Sequence, residues 1–205
     1  MTLKKSAAIL LAGAALLAAC GDDDDPPAAV TAAEMCTAVA NACSAANAQW
    51  PGADAAAMNT ACTADATTRY KWTAGARDAQ SGNTLACRLW HAGQAATNAA
   101  VHCPHAGPTG GGVCGSYCDN YCDLNVANCG AAPNQNFADR ATCMTACTGA
   151  AFATTGVVNA TSGNTIQCRI WHLGQAATNA ATHCPHARVE SVTAAGGAGP
   201  CTDPT

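Results

Sequence analysis

The chain carries one segment twice: SGNTLACRLWHAGQAATNAAVHCPHA at residues 81–106 and SGNTIQCRIWHLGQAATNAATHCPHA at residues 162–187. Of the 26 aligned positions 21 are identical, and all six histidines of the protein fall inside the two copies. Histidines confined to a duplicated segment mark either a shared structural device or a site present twice. Within each copy Cys87, Trp90, His91 and Gln94 recur at helical spacing, so the segment reads as helix. The duplication divides the chain into two tandem all-α domains, residues 31–115 and 116–203. Each is expected to be a disulfide-stapled unit of about three short helices with no significant sheet.

The N-terminus reads as a targeting segment. Lys4 and Lys5 precede an apolar run from Ala7 to Ala19 that is too short to span a bilayer. Leu17-Ala18-Ala19-Cys20 resembles a bacterial lipobox, which implies a signal peptide of residues 1–19 and lipidation of Cys20. Residues 20–30, with Asp22 to Asp25 and then Pro26-Pro27, form an acidic, stiff tether. The expected location is an exported, outer-membrane lipoprotein facing the periplasm or the cell surface. Its partners are then the membrane, through the lipid, and a protein or surface partner of unknown identity. Removal of the leader leaves seven basic and thirteen acidic side chains, a net charge of −6 with neutral histidines. Nucleic acid needs a basic face and is excluded as a partner.

Alanine, glycine, threonine and asparagine dominate, and only Phe137 and Phe152 are phenylalanines. Alanine buries little area, so the core is thin and the cysteines must supply stability. Fifteen cysteines less Cys20 leave an even fourteen, a disulfide framework in an exported chain. Cys36, Cys43, Cys62, Cys87, Cys103 and Cys114 correspond to Cys122, Cys129, Cys143, Cys168, Cys184 and Cys201. Cys118 and Cys147 are left over and pair with each other. Cys118-x3-Cys122 and Cys143-x3-Cys147 each place two thiols one turn apart on a helix face. Antiparallel packing of those faces gives Cys118–Cys147 and Cys122–Cys143, and by equivalence Cys36–Cys62. The remaining expectation is Cys43–Cys87, Cys129–Cys168, Cys103–Cys114 and Cys184–Cys201, among many connectivities that sequence leaves open.

Helix signals are local. Thr31-Ala-Ala-Glu34 is a capping box opening a helix to about Asn47. Asp54 caps a second helix carrying Met58 and Cys62, and residues 68–80 read as a loop or frayed helix. Ser81 or Asn83 caps the third. In the second domain a helix starts near Ser116 and runs to about Asn128. Asn136 caps another from Phe137 to Thr148, ended by Gly149, and a third starts near Asn164. The irregular stretch 152–160 could pair briefly as extended chain.

Imidazole suits Zn(II) or Cu(II), so His91, His102 and His105, and His172, His183 and His186, are candidate ligand sets. On an unbroken helix His91 and His102 would share a face but stand about 16 Å apart along the axis. Convergence therefore requires a reversal at Thr97-Asn98 and at Thr178-Asn179, with Asn98 capping a second short helix that Pro104 stops. The alternative is that the histidines are packing residues. His91 would then be partly buried beside a disulfide and bonded to backbone, and His102 and His105 would bond free carbonyls at a helix end. The motif holds no carboxylate to orient a ligand from behind. Arg88 and Arg169 read as snorkelled or helix-end arginines, and Trp90 and Trp171 as core anchors. No Cys-x-x-Cys-His is present, so no c-type haem is expected, and no nucleophile motif points to an enzyme.

The run SGNT-x-x-CR-x-WH…HCPHAGP…G-VCG-x-x-C resembles repeats in cysteine-rich exported lipoproteins of myxobacterial type, whose activity is not established. That resemblance implies location and architecture and no chemistry. The Cys-x3-Cys pairs are also similar to those of bacterial copper-storage bundles, but here they come in bridge-like sets. The leading expectation is a non-catalytic, surface-tethered structural or interaction module stiffened by about seven disulfides, with no catalytic residue and no cofactor. The second is a Zn- or Cu-binding protein using the three histidines of each repeat.

Overall fold

In the computed structural model the described residues are 27–150 and 156–202. The leader, Cys20 and most of the tether lie outside them. Seven α-helices occur among the described residues: α1 (Ala32–Ala42), α2 (Ala55–Ala64), α3 (Leu85–Ala106), α4 (Tyr117–Cys129), α5 (Arg140–Thr148), α6 (Ile166–Ala176) and α7 (Ala180–His186). Extended pairing among them is limited to two isolated bridges, Thr73 with Thr84 and Val192 with Ala198. The protein is all-α and disulfide-stapled. No helix among the described residues is long and apolar enough to cross a membrane.

The helix starts follow their caps. Thr31 Oγ1 accepts from the Glu34 amide, Asp54 Oδ1 from Ala57, and Ser116 Oγ from Asp119, whose carboxylate returns the bond to the Ser116 amide. Three boundaries differ from the sequence reading. α1 stops at Ala42, short of Asn47, because Ala45 takes a left-handed φ of 50°. Thr84, neither Ser81 nor Asn83, caps α3, its Oγ1 accepting from the Cys87 amide at 3.2 Å. α5 starts at Arg140 under Asp139. Asn136 instead donates to Asn125 Oδ1 and the Cys184 carbonyl, tying the α4–α5 loop to α7. After α2 the chain continues as one wide π-type turn, Asp65–Tyr70, closed by Lys71 in the left-handed region.

In the first repeat α1 packs on α2 and α3, and in the second α4 packs on α5, α6 and α7. Met35, Val39, Trp50, Trp72 and Leu85 fill one part of the core, and Tyr121, Leu124, Ile166, Ile170 and Leu173 another. Cysteine supplies much of the rest: Cys36, Cys87, Cys103, Cys114, Cys122, Cys143, Cys168, Cys184 and Cys201 have essentially no exposed surface.

Seven disulfides close the fold. Cys36 is bonded to Cys62, Cys118 to Cys147 and Cys122 to Cys143, the pairs that helix-face geometry selects. The other four expected pairs are corrected. Cys43 is bonded to Cys103, and Cys129 to Cys184; Cys87 is bonded to Cys114, and Cys168 to Cys201. The reason lies in the chain reversal inside the duplicated segment. It carries Cys103 and Cys184 back to the ends of α1 and α4, leaving Cys87 and Cys168 to meet the returning loops. Each bridge contributes about 2–4 kcal/mol, which offsets the small apolar burial of an alanine-rich core.

Arg88 and Arg169, read as helix-end residues, are 0 % and 2 % exposed. The Arg88 guanidinium lies 3.8 Å above the Trp72 ring. It donates to the carbonyls of Gly107 and Thr84 and to Oδ1 of Asn83 and Asn120. Arg169 donates to the carbonyls of Arg188, Thr165 and Val189 and to Asn164 Oδ1. Burial pushes the Arg88 pKa down to about 9, still high enough to keep the charge at neutral pH. Each arginine holds the start of its helix against the loop that follows the HCPHA sequence, and Arg88 reaches across to α4 of the second repeat.

Two outcomes check this framework. Peptide mapping of the unreduced protein should recover Cys43–Cys103 and Cys87–Cys114 as separate cross-links. Arg88→Met leaves four acceptors without their donor and should lower stability by about 3 kcal/mol or more in denaturant unfolding of the disulfide-intact protein.

Candidate metal centre

The duplicated segment is two helical pieces, not one. Asn98 has φ −157° and ψ 86°, far from helical values. Thr97 Oγ1 donates to the Gln94 carbonyl at 2.7 Å, and Asn98 Oδ1 accepts from the Val101 amide at 3.3 Å. One side chain thus bonds a carbonyl freed by the break, and the next caps the new piece. The second copy repeats this: Thr178 Oγ1 donates to the Gln175 carbonyl, and Asn179 Oδ1 accepts from Thr182. There α6 and α7 are separate helices.

The reversal brings the imidazoles together. His91 Nδ1 lies 2.9 Å from His102 Nδ1 and 3.3 Å from His105 Nδ1. In the second copy His172 Nδ1 lies 2.9 Å from His183 Nδ1. One nitrogen of each histidine in a set lies within 4.8 Å of the others. The ring arrangement is the same in both: the His91–His105 and His172–His186 centroids are 4.7 and 4.8 Å apart, edge to face. All six sequence-designated histidines therefore fall into two sets of three.

Hydrogen bonding fixes which nitrogen points inward. His91 Nε2 contacts the Gln80 carbonyl at 3.2 Å, and His172 Nε2 contacts the Thr161 carbonyl at 3.2 Å. A carbonyl only accepts, so Nε2 carries the proton and Nδ1 presents a lone pair to the other two rings. Sequence reading looked for a carboxylate in this supporting position and missed the backbone that fills it. The signal was positional only: Gln80 and Thr161 each precede the SGNT of their copy by one residue.

Neutral rings alone satisfy this arrangement poorly. One lone pair on His91 Nδ1 faces two other ring nitrogens, and His186 Nδ1 is buried with no hydrogen-bond partner. A cation among the three nitrogens of the first set would accept all of their lone pairs at once. Two imidazole nitrogens on one zinc at tetrahedral angles stand about 3.3 Å apart, from Zn–N distances near 2.0–2.1 Å. The observed 2.9 and 3.3 Å lie in that region. Three protein nitrogens leave at least one coordination position for another donor.

The surroundings are dry on one side and aromatic on the other. His91 and His172 are 5 % and 4 % exposed, while their partners are half-buried. Sulfur atoms of Cys87 and Cys114 lie within 4.8 Å of a His91 nitrogen, as do those of Cys168 and Cys201 for His172. These sulfurs are in disulfides and are not thiolate donors. Trp90 stands edge-on to His91 and His102, and Trp171 to His172 and His183. Both indoles are half-buried and flank the histidines; the buried anchors are Trp50 and Trp72. His102 and His105, expected as the packing alternative to bond helix-end carbonyls, face His91 instead.

Desolvation lowers the pKa of His91, His105, His183 and His186, and pushes that of His172 down to about 4. Neighbouring imidazoles add to the lowering at His91, His105, His172 and His183. Above the ordinary value of 6.5 His172 is neutral in both folded and unfolded chains. Below it, the unfolded chain takes up a proton that the folded chain refuses until about pH 4. The metal-free protein should therefore lose stability as pH falls through that window, read as a falling melting temperature. His172→Phe should flatten the slope.

Residues 22–117, just under half of the chain, match the family model described as the BfoA family C-terminal domain. The match takes in the first histidine set and the chain as far as Tyr117. No curated protein and no solved structure matches.

Proposed function

We propose that the protein is an exported metal-binding module that holds one divalent transition-metal ion, Zn(II) or Cu(II), at each three-histidine set. The observation that carries this reading is the convergence of Nδ1 atoms in both copies, with the first ring oriented by a backbone carbonyl. His91, His102 and His105 hold one ion; His172, His183 and His186 hold the other. Imidazole nitrogens favour Zn or Cu over Mg or Ca. The fused disulfide frame keeps the donors in place, so little ordering is needed on binding.

The module works by holding metal, without turning over a substrate. Seven disulfides suit an oxidising, exported environment. A lipid on Cys20 would tether the module to the outer membrane through the acidic segment that follows.

Zinc titration of the refolded, disulfide-intact protein should saturate at two ions per chain. His102→Ala should leave one, and His102→Ala with His183→Ala should leave none, while the circular dichroism spectrum stays unchanged. Zinc at 100 times its dissociation constant should raise stability by about 2.7 kcal/mol per site. Equal metal content in all three proteins would sink the reading.

A further inference from the structure

Between the two repeats lies a cavity of about 510 Å³ that metal binding does not use. Its wall in the first repeat carries Trp50, Asp65 and Arg69, and its wall in the second carries Val158, Asn159 and Trp171. Sites for small molecules run to about 300–1,000 Å³, so the space is of ligand size. Bonds across the repeats fix its width. Asn159 Nδ2 donates to the Gln49 carbonyl at 2.9 Å, and Asn128 Nδ2 donates to the carbonyls of Arg69 and Leu173 at 2.8 and 2.9 Å. The walls are therefore in place before anything binds.

The polar groups on these walls are of both kinds. Arg69 commits Nη1 to the Asp65 carboxylate at 2.7 Å, and its Nε and Nη2 donate to nothing among the described residues. Trp50 Nε1 donates to the other Asp65 oxygen at 3.1 Å. That sets the carboxylate and leaves each oxygen a second lone pair. Asn159 Oδ1 accepts no bond among the described residues. Apolar surface stands beside them in half-buried Trp171 and Val158.

These groups select a ligand class by elimination. Arg69 and Asp65 cancel in charge, and the other lining residues carry none. A charged ligand would lie there half-buried without a counter-charge. A purely apolar body would strip water from the guanidinium and the amide and return no bond. A neutral ring with an apolar C–H face and a rim of hydroxyls meets both demands. Its face packs on the Trp171 indole, and its hydroxyls, which donate and accept, pair with Arg69, Asp65 and Asn159. We propose that the cavity between the repeats is a carbohydrate-binding site for a neutral hexopyranose, with Arg69 and Asn159 bonding its hydroxyls and Trp171 as its apolar platform.

The test is calorimetric titration of the metal-free, disulfide-intact protein with the methyl glycosides of glucose, galactose and mannose, and with maltotriose and cellotriose. Saturable binding of at least one sugar in the millimolar range or tighter is expected, with a change in tryptophan emission. Binding of a methyl glycoside assigns the site to a single sugar; binding of a trisaccharide alone assigns it to the end of a chain. Arg69→Ala should weaken that binding about tenfold, a loss of roughly 1.4 kcal/mol. Asn159→Gly gives a second variant: the backbone there has φ 61°, which glycine accepts, and the loss should be similar. Trp171 is left in place because it also flanks His172 and His183. Arg140→Ala, which removes an ion-paired arginine outside the cavity, should bind as the parent does. No binding of any of these sugars, equal affinity in the parent and both cavity variants, or binding of benzoate in their place would overturn the proposal. Zinc stoichiometry is untouched by each of these outcomes, so the metal-binding reading stands or falls separately.

Discussion

A straight helix cannot bring His91 and His102 to one ion, because eleven residues of α-helix extend about 16 Å. The break at Asn98, and its twin at Asn179, removes that distance, and the architecture follows from it. The same reversal that sets His102 against His91 at 2.9 Å also returns Cys103 to Cys43. Histidine convergence and disulfide connectivity are thus one event. The break costs little because Thr97 and Asn98 bond the backbone groups that it frees. Both copies carry the threonine and the asparagine at those positions and make the same bonds there.

The frame around the break is stiff for reasons other than apolar burial. The core uses alanine and cystine where other small domains use leucine and phenylalanine. Buried Arg88 and Arg169 add directional bonds: each satisfies several carbonyls that would otherwise be orphaned in loops. Such a network resists small displacements more than a soft core does. That suits a centre whose donors must be held within a few tenths of an ångström.

Legibility in the sequence followed the range of the interaction. Caps at Thr31, Asp54 and Ser116 act within three residues and were readable. The cysteine pairs one turn apart on helix faces gave three bridges, because helix geometry alone constrains them. The other four were misassigned, since their pairing depends on where the reversal delivers Cys103 and Cys184. The arginines were misjudged because a lone basic residue carries no sign of the carbonyls that will surround it. The supporting contacts from Gln80 and Thr161 to the histidines were invisible for a related reason: a backbone carbonyl has no residue identity to read.

From sequence alone, the duplication, the all-α character, the oxidised cysteines, the candidate histidines and the need for a reversal at Thr97-Asn98 could be stated. Each rests on local pattern or on arithmetic along one chain. Tertiary structure alone decided that three imidazoles meet in each copy, which tautomer His91 and His172 adopt and which cysteines close the loops. It also decided that the turn Asp65–Tyr70 of the first repeat lies against α6 of the second. Local pattern cannot encode these outcomes, because each depends on which distant residues the fold brings together.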